Sequence, residues 1–202
     1  FQPWEGGTGR VSSQYVAARI ALGQAAIEAG HASEALAHFE AALIYPENLG
    51  EGKHPLAPDA HVHYFIGLAR EALGDDEGAK TSSRCVAKAQ TGFSFATYYQ
   101  ALALKKLGEG EASRNRLEEL LDFASQKLKA GSKAGFSTSV PQFMFFEDDP
   151  QKRERIEYTY LIGLAQLGLE RISEAERAFR NILALDINHL GAQQALESLE
   201  SA

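Results

Sequence analysis

The sequence predicts an all-α fold of paired helices, and three observations carry that expectation. Apolar residues recur with a period near 3.6. Ala and Leu dominate while β-branched alternation is almost absent. One pattern of small and apolar residues also returns four times along the chain. Only Phe143 to Phe146 reads as a short apolar run of the strand type. At 202 residues, 45% hydrophobic and 23% charged, the composition is that of a soluble globular chain and argues against wholesale disorder. No run approaches the roughly 20 apolar residues that span a bilayer. The net charge of −7 opposes nucleic-acid binding, which needs a basic footprint. A single cysteine, Cys85, excludes an internal disulfide framework and a cysteine-rich zinc site.

The repeated pattern justifies the elements in order. Ile20-Ala-Leu-Gly23-Gln24 closes at Gly30; Tyr64-Phe-Ile-Gly67-Leu68 leads to Leu73-Gly74. Tyr98-Tyr-Gln-Ala101-Leu102 leads to Leu107-Gly108, and Tyr160-Leu-Ile-Gly163-Leu164 leads to Leu169. A second helix follows each copy. Gly23 to Ala35, Gly67 to Ala79 and Gly163 to Ala175 are each 12 residues; Ala101 to Ala112 is 11, which predicts a shorter third turn. Small residues at this spacing let two antiparallel helices approach closely. Phe39 and Phe179 stand four residues after Ala35 and Ala175, on the same helix face.

These residues resemble the tetratricopeptide repeat family, a 34-residue helix-turn-helix unit. Gly23, Ala35, Phe39 and Ala42 match its small, Ala, aromatic and Ala positions, with Pro46 one residue early. Gly163, Ala175 and Phe179 match in the last unit, where Ile182 and Ile187 depart from the pattern. Unit 2 keeps Gly67, Gly74 and Ala79 but has Ser83 in the aromatic position; unit 3 keeps Ala101, Gly108 and a shifted Ala112. The resemblance implies an α-α superhelix of about four degenerate units with a C-terminal capping helix.

Spacing of the small residue exposes two insertions. It recurs after 34 residues from Gly67 to Ala101, but after 44 from Gly23 to Gly67 and 62 from Ala101 to Gly163. The expected layout is a single domain, 1–202, with an N-terminal arm at 1–12, unit 1 at 13–46 and an insertion at 47–59. Unit 2 follows at 60–92, and unit 3, with an extended second helix, at 93–130. A second insertion covers 131–149, unit 4 covers 150–188, and the capping helix covers 189–202. Leu117, Leu120, Leu121, Ala124 and Leu128 carry the extension. Asp149 and Pro150 read as N-cap and first residue of the next helix, and Asn188 as the cap of the last.

Three segments sharpen the resemblance: Pro3 to Arg10, Tyr45 to Lys53, and Phe146 to Asp149. Together they are similar to the C-terminal repeat region of large bacterial proteins. Those carry an upstream domain of unknown function associated with sugar-binding β-sandwich folds. The chain, which starts at Phe1 with no charged-then-apolar leader, is then expected to be a domain fragment with a cytoplasmic location.

Gly6-Gly-Thr-Gly9-Arg10 and Gly50-Glu-Gly52-Lys53 end in a cation, but neither has the form of a phosphate loop. They read as tight turns, or as loops offering N–H groups and a cation to an anionic or polyhydroxyl ligand. His61 and His63 would diverge by about 200° on a helix and cannot share a metal there. Glu147, Asp148 and Asp149 read as a helix-start cluster rather than a catalytic pair. Cys85 reads as a small buried residue. The resemblance places Tyr64, Tyr98 and Tyr160, with His61, Phe95 and Glu157, at positions that line the concave surface in this family. The tyrosines suit peptides and sugars alike, or pack between helices. With Trp4, Arg10, Asn48 and Lys53 folded back from the arm and first insertion, they form the candidate ligand-binding groove. The expected function is binding or assembly without catalysis, cofactor or metal. The partner is a protein or an upstream domain of the same chain, with a carbohydrate as second ligand class, and neither nucleic acid nor membrane. The alternative is an accessory domain that completes the active site of a larger carbohydrate-processing enzyme.

Overall fold

A computed structural model describes residues 10–50, 53, 59–89, 92–131 and 149–200. The strand-type run at Phe143 to Phe146 lies outside them, as does most of the N-terminal arm. The described residues form nine α-helices and one 3-10 turn, without a strand. The helices are α1 (Arg10–Glu28), α2 (Ala32–Ala41), α3 (Ala60–Ala72), α4 (Asp76–Lys88) and α5 (Phe95–Lys106). They continue as α6 (Gly110–Ala130), α7 (Pro150–Gly168), α8 (Ile172–Leu185) and α9 (Leu190–Glu200). The 3-10 turn covers Glu47–Leu49. Two compact units emerge: Phe1–Thr91 with Leu102–Gly110, and Gly92–Ala101 with Glu111–Ala202. Helix α5 contributes its first half to the second unit and its last residues to the first.

Four helix-helix junctions share one backbone solution. Gly30, Gly74, Gly108 and Glu170 each follow the first helix of a pair with positive φ, at 78°, 78°, 82° and 62°. At each, the next residue donates its N–H five residues back: His31 to Ala26, Asp75 to Arg70, Glu109 to Leu104, Arg171 to Gln166. This left-handed closure satisfies carbonyls that the ending helix would leave open, and glycine adopts it without strain. The fourth copy holds it with a glutamate.

Inside the first and last pairs, glycine makes room for a ring. A Cβ at Gly23 would overlap Phe39, and one at Gly163 would stand 2.6 Å from Phe179 Cε1. Both phenylalanines are fully buried, a burial that contributes about 1.5–3 kcal/mol each. Phe39 also stacks on Phe65 at 5.4 Å, tying α2 to α3. The α3–α4 pair lacks the ring. There Gly67 packs on Ser82, 3.3 Å from where its Cβ would be, and Arg70 donates to Gly78 O at 3.4 Å and Ser82 Oγ at 3.3 Å.

The third pair corrects the sequence reading. Ala112 is exposed; Ser113 is buried, and its Oγ donates to Ala101 O at 2.7 Å. The 12-residue spacing is therefore kept, with no shortened turn. A serine can fill a small-residue slot because its hydroxyl finds a backbone carbonyl, so no buried polar group is left open. Helix α6 then runs antiparallel along α7. Leu117 covers Gly168, whose Cβ would lie 2.7 Å from its Cδ2, while Leu120 and Ala124 cluster with Leu161 and Ala165.

Two caps and one cysteine complete the comparison. Asp149 Oδ1 accepts from Gln151 N at 2.9 Å ahead of Pro150, the expected start of α7. At α9 the cap is His189, not Asn188: His189 Nδ1 accepts from Ala192 N at 3.1 Å. Asn188 N instead donates to Asp186 Oδ1 at 3.0 Å, a turn that pushes the helix start one residue on. Cys85 is exposed, because Ser82 and Val86 take the buried stripe of α4 and leave it to one side.

Candidate functional site

The concave-surface candidates fall into both compact units. His61 and Tyr64 lie on α3 in the first; Phe95, Tyr98, Glu157 and Tyr160 lie on α5 and α7 in the second. Trp4 and the side chains of Arg10 and Asn48 are outside the described residues. Tyr160 packs into the second unit's core, its ring 6.1 Å from Phe179 and 4.7 Å from His189, with its hydroxyl close over Gly191. Burial pushes its phenol up to about 12. Phe95 and Tyr98 pack against the same cluster of Leu164, Phe179 and Ile182. Glu157 is exposed. In the first unit Tyr64 is half-buried and keeps an open side. It lines a cavity of about 130 Å³ with Glu71, Lys80 and Lys106, and Lys106 Nζ donates to Glu71 Oε2 at 2.6 Å. Burial, then the Glu71 charge, raises the Tyr64 phenol above its ordinary value.

Lys53 has a compact set of partners. Its ammonium donates to Leu43 O at 2.9 Å, pairs with Asp59 Oδ2 at 2.6 Å and lies 5.8 Å from the Tyr45 ring centre. It thus ties the end of the first helix pair to the start of α3, across an insertion in which residues 51, 52 and 54–58, with Pro55 and Pro58, lie outside the described set. His63 is its electrostatic neighbour; desolvation lowers that imidazole's pKa, against the pull of Asp59. His61 and His63 both fall on α3, two residues apart. Among the described residues no group of three His, Cys, Asp or Glu could hold a metal, and no helix is long and apolar enough to cross a membrane. Of the acidic cluster, Glu147 and Asp148 are outside the described residues, and Asp149 caps α7.

One opening was not marked by the repeat pattern. A groove of about 430 Å³ runs along α7 and α8, with Leu128 of α6 at one end. Its lining includes the apolar Ile162, Ala178 and Leu185. Arg155 of α7 and Arg177 of α8 also line it, with Thr159, Gln166, Glu174 and Asn181. A second opening of about 420 Å³ continues it across Leu128 and Arg155 to Tyr158, Lys127 and Glu154. Tyr158 lies edge-on to Phe123 at 6.3 Å; Phe123 in turn stacks on Phe93 at 4.9 Å. The signal in the sequence was faint. Arg155, Thr159, Ile162 and Gln166 recur at helical spacing on the side of α7 roughly opposite Tyr160 and Leu164, which hold the core.

The described helices pack chiefly in pairs that are adjacent in the sequence. No family profile matches the chain. Two solved structures are similar across nearly its whole length. One, "MamA RS-1 ArsTM double mutant", is 17% identical with a TM-score of 0.33, covering 93% of each chain. The other, "MamA 41-end from Desulfovibrio magneticus RS-1", is 18% identical with a TM-score of 0.32, covering 96% of this chain and 94% of that one.

Proposed function

We propose that the chain is a non-catalytic binding and assembly module that holds protein partners, or an upstream domain of its own chain, on the open faces of its helix pairs. The observation that supports this is the form of its cavities. Two of them run as open grooves along helices, lined by apolar and polar side chains together. Such a groove offers length and area to a polypeptide segment, whereas small-molecule sites enclose most of their ligand. The tyrosine face is the other part of the proposal. Tyr64, beside His61, Glu71 and Lys106, presents a flat apolar body and a polar tip to a peptide or a sugar.

The second reading makes the chain an accessory domain of a carbohydrate-processing enzyme. It rests on the likeness of Pro3 to Arg10 and Tyr45 to Lys53 to bacterial repeat regions of that context. A peptide array and an oligosaccharide array probed in parallel with the purified chain separate the two. Binding to a subset of peptides, with no turnover of glycosides, supports the module. Sugar binding with no peptide retained would transfer the reading to the accessory domain.

A further inference from the structure

The groove along α7 and α8 combines two features that together describe an occupant. Part of its lining is apolar, from Ile162, Ala178 and Leu185. The lining also carries two guanidiniums, Arg155 on α7 and Arg177 on α8, and both are exposed. No described residue forms an ion pair with either, whereas the exposed Arg180 reaches Glu176 at 2.6 Å. Glu174 is the one carboxylate on the lining. The lining is therefore net positive on a chain whose net charge is −7. A local inversion of sign, set among apolar side chains, favours a segment carrying carboxylates beside a bulky apolar side chain. Planar guanidiniums suit this task, since each can take a carboxylate by two parallel hydrogen bonds.

Resting on the reading of the chain as a binding module, we propose that this groove docks an acidic, apolar-anchored peptide segment of a partner protein. The apolar side chain enters between Leu128, Ile162 and Leu185. Flanking carboxylates meet Arg155 on α7 and Arg177 on α8. Thr159, Gln166 and Asn181 offer hydrogen bonds to the segment's backbone. The extension past Leu128 gives a longer segment a third cation, Lys127, with Glu154 beside it, and the aromatic face of Tyr158.

The test is fluorescence anisotropy with the full chain and a labelled peptide of Leu and Phe flanked by Glu and Asp. A control peptide has Lys in place of every acid. The acidic peptide should bind, weaken as salt rises, and bind about tenfold or more weakly to Arg155→Glu and Arg177→Glu, the fold-change of one lost charge-assisted contact. Arg155→Lys should retain part of the affinity. Circular dichroism melts should show all variants folded, since both side chains are exposed. Equal binding of the lysine peptide, or affinity unmoved by either charge reversal, would overturn the proposal while leaving the module reading intact. Binding that appears only after Phe143 to Phe146 are changed to serine would also overturn it, by giving the groove to the chain's own apolar run. Retention of no peptide at all on the array would instead remove the module reading.

Discussion

Glu170 is the residue whose backbone departs furthest from its chemistry. It occupies the left-handed position that glycine fills at residues 30, 74 and 108. Left-handed geometry crowds Cβ against the following carbonyl and costs about 1–2 kcal/mol outside glycine. Glu170→Gly should therefore raise the melting temperature, by an amount worth about 1 kcal/mol once the extra freedom of the unfolded glycine is subtracted. Thermal melts of the variant check the sign. Gly163 makes the opposite case. Its missing Cβ is the space that Phe179 fills, so Gly163→Ala should overpack the α7–α8 pair and cost about 1–3 kcal/mol despite alanine's better helix propensity. Denaturant titration measures it, and an unchanged midpoint would mean the ring can move aside. The sequence carried the Gly163 feature in plain spacing, as a small residue followed by Ala175 12 residues on. It concealed Ser113, because a serine tied to Ala101 O is small in space though polar in name.

At the scale of elements, helix starts divide into those the sequence declares and those that neighbours decide. Asp149-Pro150 declares α7 through a side chain that can only accept and a residue that has no N–H to satisfy. The start of α9 depends on a competition. Asn188 is the better intrinsic cap, but its amide is drawn to Asp186, and the imidazole of His189 takes the role. That role requires a neutral ring. Desolvation lowers the His189 pKa from its ordinary 6.5, opposed by its own backbone hydrogen bond and by the Asp186 charge. The unfolded chain then binds the proton first. The cap's contribution is complete above about pH 6.5 and is lost as pH falls through the lowered folded value. Melting temperatures at pH 8 and pH 5 should differ more for the parent chain than for His189→Asn, which caps without titrating. The subtraction also removes His63, which titrates with the same sign. The α7–α8 groove was illegible for a related reason. Arg155 and Arg177 lie 22 positions apart, and each alone is an ordinary surface cation. Only the pairing of α7 with α8 brings them to the lining of one opening. Cys85 illustrates the converse: Ala/Ser-rich surroundings suggested burial, but which face of α4 is covered depends on α3.

For the molecule as a whole, the repeat pattern made helix count and pairing legible, because a period of 3.6 and a fixed small-residue spacing each report on packing. It did not reveal how the chain divides. The division falls inside α5, whose residues up to Ala101 belong to one compact unit and from Leu102 to the other. Lys106, in the later half, pairs with Glu71, while Ala101, in the earlier half, accepts the hydroxyl of Ser113. A helix propagates one hydrogen bond at a time and frays from a new end, so neither half is dispensable to the other. In genetic terms, α5 is a segment that two cistrons cannot share. A library of truncations screened for soluble expression should yield fragments that start before Gly92 or end after Gly110, and be depleted of termini in between. Duplication or loss of single helix pairs, the ordinary way in which repeat arrays grow, should meet the same barrier: a breakpoint within 92–110 leaves both products with an incomplete core.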